Sequence, residues 1–512
     1  PGIAPQLNEL GFMLPYTPLH YLLFEEIALI VATSSNKKDS PIMKDIEEGI
    51  EELCDYILTH NRPIHMRADD SVMKIVGDGP LFMRRARGYV PFPQQVPKAL
   101  ESPHHVLALG GELKDTISIY KNGYVVTSQF LGDLDDYRNF SYFEETIGHL
   151  VRLFELKPKI VVSDLHPNFH TTRYAQRSGA RHIQVQHHYA HVLAALLEHK
   201  VSPGQKRVLG VSLDGYGYGE DGTAWGAEFL LADYAGYERY AHFKYVPLPG
   251  RDLAAKQPWR MAMSYVYDTY GERGIVSERI PELKSLKKIS ARKRKGVLEM
   301  IKRDVNSPMA SSCGRLFDAV SYLVGLAPRE MEFEAEAPMR LESAAAQSIR
   351  GSYRFVITHN SKPAPQNDVG SGPRSVQTAQ GDVQSGPRTD RIAQLSPFQI
   401  SFTPTIKAIL QDMTRGVPVA HISAKFHNTL ARVILTVAER AKKEHNIDTV
   451  VLTGGVFLNK RLLTTTLNLL DPKGFKPLRP TVYSPTDESI SVGQIAYALN
   501  LLHADFDSAD EA

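Results

Sequence analysis

The sequence predicts an α/β protein, a small α+β unit followed by a larger region of strands that end in glycine-rich turns. Three segments carry that expectation. "HHVLALGGELKDTISIYKNGYVVTSQ" (104–129) reads as a strand, a Gly-Gly turn, a strand, an Asn-Gly hairpin and another strand. "KRVLGVSLDGYGYGEDGTAWGAEFLLADY" repeats the design, with Asp214 at a strand end and glycines 215, 217, 219 and 222 in the turn. "IDTVVLTGGVFLNKRLLTTTLNLL" is a buried strand, a Gly454-Gly455 turn and a helix. Three strand–glycine units in one region amount to an internal repeat.

The elements before residue 104 are shorter. "FEEIALIVATSSN" reads as a strand entering a polar turn, and "SVMKIVGDGPLFMRRARGYVP" as two strands around Gly-Asp-Gly. Pro-rich "YVPFPQQVPKALESPHH" then breaks every periodicity, as a linker would. The expected division is a first unit over 1–97, a linker over 98–103 and a large domain over 104–505. Within that domain residues 359–395 are rich in Gly, Pro, Ser and Gln, and "DVGSGPR" and "DVQSGPR" recur there. Such a composition cannot bury a core, so a disordered surface insertion is expected.

At 512 residues the chain is long enough for several cores. Lys+Arg 59 against Asp+Glu 57 gives a net charge of +2, too balanced to favour nucleic acid or an anionic membrane as partner. The most apolar early run, "YLLFEEIALIVAT", is split by Glu25 and Glu26, so no membrane span is expected. Two cysteines, Cys54 and Cys313, are too few for a disulfide framework or a cysteine zinc site, and a reducing cytoplasm is the simplest compartment. The first residue is Pro rather than Met, and the chain is expected to be part of a longer polypeptide.

"QHHYAHVLAALLEH" is strongly helical, and His187 and His191, four residues apart, share one face of that helix. His188 points elsewhere, and His199 reads as an exposed helix-end cation. Two imidazoles at this spacing either share a metal ion or are ordinary hydrogen-bonded histidines. A metal needs further donors; Asp214 is the obvious one, and Asp487 in "YSPTDESISVGQ" is a second. A His₂Asp₂ set suits Zn, Fe(II) or Mn better than calcium. A metalloprotease would need Glu directly after the first His, where position 188 is His.

Glycine turns at strand ends let backbone N–H groups approach a phosphate, so Gly215, Gly217, Gly454 and Gly455 suggest a nucleotide in a cleft between two lobes. Neither a P-loop nor a G-x-G-x-x-G after a strand is present. In the first unit "MRRARGYVP" reads either as a solvated basic turn or, with Arg85 and Arg87 on one face of an alternating strand and Arg84 opposite, as a clamp for phosphate or carboxylate. "ATSSN" offers Ser34 and Asn36 as polar donors.

Taken together, these segments resemble the HypF carbamoyltransferases of NiFe hydrogenase maturation. "GFMLPYTPLHYLLF", "TSSN", "HNRPIHMRADDSV" and "RRARGYVP" look like the second half of that family's YrdC-like domain. "LALGGELKDT", "SDLHPNF", "QHHYAH", "LDGYGYGEDGTAWGAEF", "CGRLFDAVSYLVGL", "FHNTLA" and "TGGVFLN" look like its Kae1-like domain. The resemblance implies an actin/hexokinase-like, duplicated Kae1-like domain preceded by a partial YrdC-like domain. It also implies a chemistry. The family cleaves carbamoyl phosphate, couples the carbamate with ATP and Mg to give carbamoyladenylate, and passes the carbamoyl group to the C-terminal cysteine of a HypE-like partner, where it becomes a cyanide ligand of the hydrogenase iron.

Carried over, His187, His191, Asp214 and Asp487 would hold the divalent metal, the first three acting in catalysis. Gly215, Gly217, Gly314, Gly454, Gly455 and Asn459 would hold the nucleotide, with Asp318 on its ribose. Ser34, Asn36, Arg85 and Arg87 would hold the adenylate in the first domain. The acylphosphatase domain, the zinc-finger region and the front of the YrdC-like domain have no counterpart here, so the transfer half of the reaction is expected. "TSSNKKDSPI" and "PTDESISVGQ" depart from the family pattern, as do Tyr216 and Leu253. Two other readings are an O-carbamoyltransferase of small-molecule biosynthesis, whose domain order is reversed, and a non-catalytic partner-binding scaffold. A tRNA threonylcarbamoyl-transfer protein fits the charge poorly.

Overall fold

The computed structural model describes residues 3–37, 40–46, 50–77, 79–276, 283–359 and 398–510. The proposed insertion at 359–395, apart from His359, lies outside the described residues. Two sheets divide the large region into two lobes. The first lobe is six-stranded: β3 (Gln94–Gln95), β4 (Val106–Ala108), β5 (Ser118–Lys121), β6 (Tyr124–Thr127), β7 (Ile160–Asp164) and β8 (Arg181–Val185), in the spatial order β3-β6-β5-β4-β7-β8. The hairpin between β5 and β6 turns on Asn122 and Gly123, both at positive φ, the geometry that Asn-Gly favours.

The second lobe is nine-stranded. Its backbone is β9 (Val208–Tyr218), β10 (Ala224–Ala232) and β11 (Tyr237–Phe243), with the short β12 (Val246–Pro247) and β13 (Met309–Ala310) beside β10. The remaining strands are β14 (Val356–His359), β15 (Phe398–Ser401), β16 (Thr449–Thr453) and β17 (Lys476–Leu478). Along β11-β10-β9-β16-β17 the sheet repeats the plan of β6-β5-β4-β7-β8: an antiparallel meander of three strands, then two strands parallel to the first. The weak repeat of strand–glycine units is thus a structural duplication, the α/β architecture the resemblance implied.

Helices fill the space between the sheets. The helix His187–Glu198 is buried along its whole length, because it is covered by β9 on one side and by the helix Ile490–Asp510 on the other. A helix that is apolar nearly all round can be stable only in such a place. At the crossing Gly493 meets Ala190 so closely that a side-chain carbon would stand 1.9 Å from the Ala190 carbonyl oxygen.

Three expectations are corrected. Asp214 is not at a strand end: β9 runs on to Tyr218, and the turn lies at 219–223. Between the pairs Leu213↔Ala227 and Gly217↔Trp225, three residues of β9 face the single residue Gly226, a bulge that re-aims Asp214 out of the ladder. Glycines 215 and 217 therefore belong to a bulged strand. Second, "ALIVATSSN" forms no strand. The helix Pro18–Glu26 precedes extended chain, and among the described residues nothing pairs with it; Leu29 and Val31 are 84% and 76% exposed. Apolar alternation makes a strand only where a neighbour completes the hydrogen bonds. The two strands around Gly-Asp-Gly do form, as the hairpin β1 (Val72–Val76) and β2 (Gly79–Arg84). Third, the Pro-rich linker is packed, since β3 pairs with β6 and Val96 and Leu100 are buried in the core of the first lobe. Among the described residues no helix is long and apolar enough to cross a membrane.

Candidate metal and nucleotide site

The N-terminus of the helix His187–Glu198 is fixed by Gln186, whose Oε1 accepts from the Tyr189 N–H at 2.9 Å. That cap aims His187 and His191 at the bulge of β9 and at the turn before the last helix. His191 Nε2 lies 3.1 Å from Asp214 Oδ2 and 3.6 Å from Asp487 Oδ1; His187 Nε2 lies 3.6 Å from Asp487 Oδ1 and 4.0 Å from Asp214 Oδ2. One donor atom from each of the four residues falls within 4.8 Å of all the others.

The donors are poised for a cation. His187 Nε2 is buried with no hydrogen-bond partner, while its Nδ1 is 2.8 Å from Asp164 Oδ2. A carboxylate behind a ligating imidazole fixes its tautomer and orientation. Burial opposes charge on His187, but Asp487 and Asp164 outweigh it and hold the imidazole well above its usual pKa. His191 is raised too, since Asp214 and Asp487 overcome its burial. Burial alone would raise Asp487, yet the two imidazoles hold it well below the carboxylate range. The Asp487 carboxylate and the two imidazoles thus favour one another's charged forms, and a divalent ion can take the place of the imidazole protons. His188 faces away, beside Trp225 at 6.3 Å, and burial with its two histidine neighbours keeps it neutral. His199 is the exposed helix cap, its Nε2 2.8 Å from the Arg479 carbonyl. Sequence reasoning missed Asp164, although "SDLHPNF" shows an Asp closing a buried parallel strand.

The cluster opens on a cleft of about 570 Å³ between the lobes and the first unit. Asp214, Gly215, Gly314, Gly455, Asn459 and Asp487 line it, and so do Ser34 and Asn36 from the first unit. Ser34 Oγ donates to Asn36 Oδ1, and Asn36 Nδ2 donates to the carbonyls of Lys37 and Ser40, forming a local turn. Asn459 also caps the helix Lys460–Leu470 and donates to His427 Nε2 at 3.0 Å. Asp318 sits one layer behind Arg315, 2.9 Å from its Nε, with neither carboxylate oxygen hydrogen-bonded; burial raises it to about 6.

Four expected ligand contacts lie elsewhere. Gly454 does not line the cleft: its N–H donates to the Pro485 carbonyl at 3.0 Å, and a Cβ would stand 2.3 Å from Leu213 O. Gly217 is the seat of the histidines, where a Cβ would be 2.4 Å from His188 Cε1 and 2.8 Å from His187 Cδ2. Both glycines serve close packing. The arginine clamp fails because β2 ends at Arg84, so strand alternation does not extend to Arg85 and Arg87. Arg84 faces the cleft, paired with Asp69 at 3.0 Å, whereas Arg85 turns inward over the Tyr483 ring and Arg87 pairs with Asp70 near the surface.

Known proteins are similar to this chain in fold and in sequence. A family model described as "Carbamoyltransferase, Kae1-like Domain, second subdomain" matches residues 210–494, more than half the chain. The chain belongs to the HypF carbamoyltransferase family. "HypF Kae1-like domain" matches 101–198, and a model of the Sua5/YciO/YrdC family, described as "Telomere recombination", matches 1–86. Carbamoyltransferase HypF of Synechocystis is 34% identical, over 96% of this chain and 60% of its own length. The probable HypF of Methanocaldococcus jannaschii is 31% identical, over 96% of this chain and 59% of its own. The chain thus spans about three-fifths of these HypF proteins. A full-length HypF solved in a phosphate- and nucleotide-bound form superposes with a TM-score of 0.85 at 35% identity, covering 98% of this chain and 72% of that one. The HypF of T. kodakarensis gives 0.80 at 30% identity, covering 98% of this chain and 61% of that one.

Proposed function

We propose that this chain transfers a carbamoyl group from carbamoyladenylate, held in the cleft, to the C-terminal cysteine thiol of a HypE-like partner. The observation that carries the reading is that Asp214 and Asp487, backed by His187 and His191, line the same cleft as Gly215, Gly314, Gly455 and Asn459. A nucleotide anhydride and a metal can therefore share one chamber. A full-length HypF solved with phosphate and nucleotide supports ATP as the source of the adenylate; Mg at the adenylation step and carbamoyl phosphate as the carbamate donor belong to the same proposal, on the family resemblance. Because the chain matches about three-fifths of its relatives, the proposal is confined to transfer.

The four side chains fit Zn or Fe(II), and Mn with its taste for oxygen donors, on the orphaned Nε2 of His187 and the mixed N/O set. A bound divalent ion would supply Lewis acidity at the carbamoyl oxygen. The chain's own residues do the rest. Asp318 offers two unsatisfied oxygens to ribose hydroxyls once Arg315 swings toward phosphate. Gly314 and Gly455 admit the nucleotide backbone-close. Arg84, Lys114 and Arg315 line the cleft as cations for its phosphate. The thiol sulfur forms a bond to the carbamoyl carbon, the carbon–oxygen bond to phosphate breaks, and AMP leaves as the thiol proton passes to solvent. Walls that exclude water are needed, because water competes with the thiol.

The test is incubation of the chain with carbamoyladenylate, metal and a HypE-like acceptor, followed by mass spectrometry of the acceptor's C-terminal peptide. A gain of one carbamoyl group, absent with His187→Ala, is expected. An acceptor whose mass matches that of the His187→Ala control rejects the proposal.

A further inference from the structure

We propose that Glu488 is a positioning residue that ties the order of the metal ligand Asp487 to the seating of the first unit, through the Arg85 N–H. This rests on the metal-centre reading above. Among the described residues the ion-pair partners of the Asp487 carboxylate are the two histidines, at 3.6 Å, so its reach is set by the chain on either side. On the N-terminal side the Gly454 N–H donates to the Pro485 carbonyl at 3.0 Å. On the C-terminal side the Ser489 N–H and Oγ both return to the Thr486 carbonyl at 3.0 Å, and Ser491 Oγ meets Thr116 Oγ1 and Ser118 Oγ. Glu488 adds the tie to the first unit. Its carbonyl accepts from Thr116 Oγ1 at 2.7 Å, a residue of the first lobe, and its Oε2 accepts from the Arg85 N–H at 2.9 Å.

Glu488 is 3% exposed, and its Oε1 has no hydrogen-bond partner. Among the described residues the single hydrogen bond to this buried carboxylate therefore comes from the first unit, directly after the β1–β2 hairpin. Arg85 is itself 6% exposed and held where it is: its guanidinium lies 5.1 Å from the Tyr483 ring centroid, and its Nη2 donates to the Tyr89 carbonyl at 2.6 Å. The next N–H, of Ala86, donates to Ser71 Oγ at 2.8 Å. Arg479 reaches back from the C-terminal part to the Val76 and Pro80 carbonyls, both at 2.9 Å, so the hairpin is clasped from two sides. If the hairpin lifts, Glu488 loses its donor in a place water does not reach, and the turn bearing Asp487 must rearrange. Coupling of this kind is reciprocal, so metal at the cluster must also hold the hairpin down.

The test uses Co²⁺ and Zn²⁺ alone, with Co²⁺ affinity read from its visible absorption and hairpin order from amide hydrogen exchange over residues 72–84. Glu488→Leu, which keeps the volume and removes the acceptor, is expected to weaken Co²⁺ binding roughly 10- to 100-fold. Glu488→Gln, whose amide oxygen can still accept from Arg85, should recover most of that affinity. In the unsubstituted chain Zn²⁺ should slow exchange of the hairpin, and in Glu488→Leu it should not. A purely structural role for Glu488 would leave that Zn²⁺ effect in place. Co²⁺ affinity equal in Glu488→Leu and the parent overturns the proposal, as does a hairpin indifferent to Zn²⁺ in a parent that binds it. A parent that binds neither ion more tightly than His187→Ala overturns the metal-centre reading itself.

Discussion

Replacing Gly493 by alanine probes how the histidine helix is held in place. The added carbon would stand 1.9 Å from the Ala190 carbonyl oxygen, 2.6 Å from its carbon and 2.9 Å from its Cα. These are backbone atoms in the first turn of the helix His187–Glu198, so no side chain can swing aside. A relaxed carbon–oxygen contact needs at least about 3.3 Å, which requires the two helices to part by about 1.4 Å. Overpacking of this severity costs about 3 kcal/mol, roughly 3–4 °C in Tm for a domain of about 400 residues. The same shift carries His187 and His191 away from Asp487, which sits at the start of the opposing helix's connection. Metal sites tolerate displacements of about 0.2 Å in ligand distance, so affinity should fall well over tenfold. Calorimetry of the metal-free chain and a Co²⁺ titration measure the two effects separately. A Gly493→Ala chain that melts and binds Co²⁺ like its parent would refute the packing argument at its root.

Asp164→Asn keeps the shape behind His187 and removes the charge; Co²⁺ affinity should drop roughly 10- to 100-fold by the same titration, and an unchanged affinity would deny Asp164 a role in holding the ligand. Gly455→Ala meets Asp214 Oδ1 at 3.3 Å and Thr486 Cγ2 at an ordinary 3.9 Å, so its Tm should stay near the parent's while AMP binding by calorimetry weakens; Gly454→Ala, at positive φ and against Leu213 backbone, should instead lose stability outright. His427 is buried and neutral, its pKa lowered to about 4 mainly by burial, with Asn459 donating to its Nε2. The unfolded chain takes up that proton near pH 6.5 and the folded chain does not, so stability is full above pH 6.5 and is lost as pH falls toward 4. The loss is about 3 kcal/mol, and His427→Gln should flatten the Tm profile over that window.

The sequence by itself determined the elements whose signal is local. The i, i+4 spacing of His187 and His191, the Asn122-Gly123 hairpin and the run of strand–glycine units all follow from steric and periodic rules within a few residues, and the structure contains each of them. The motifs also carried the family. What the tertiary structure alone decided depends on partners distant in the chain. Whether 27–33 becomes a strand depends on a neighbouring strand, and none is there among the described residues. Arg84 rather than Arg85 faces the cleft because β2 stops at residue 84, and Arg85 found its place under Tyr483, some four hundred residues on. Gly217 and Gly454 read as phosphate turns, yet each exists to let another part of the chain come within contact distance. Asp164, 23 residues before His187, took its role only when β7 and the histidine helix were laid side by side. Local rules fix which way a backbone can bend; burial and hydrogen bonding across the fold fix what each side chain then meets.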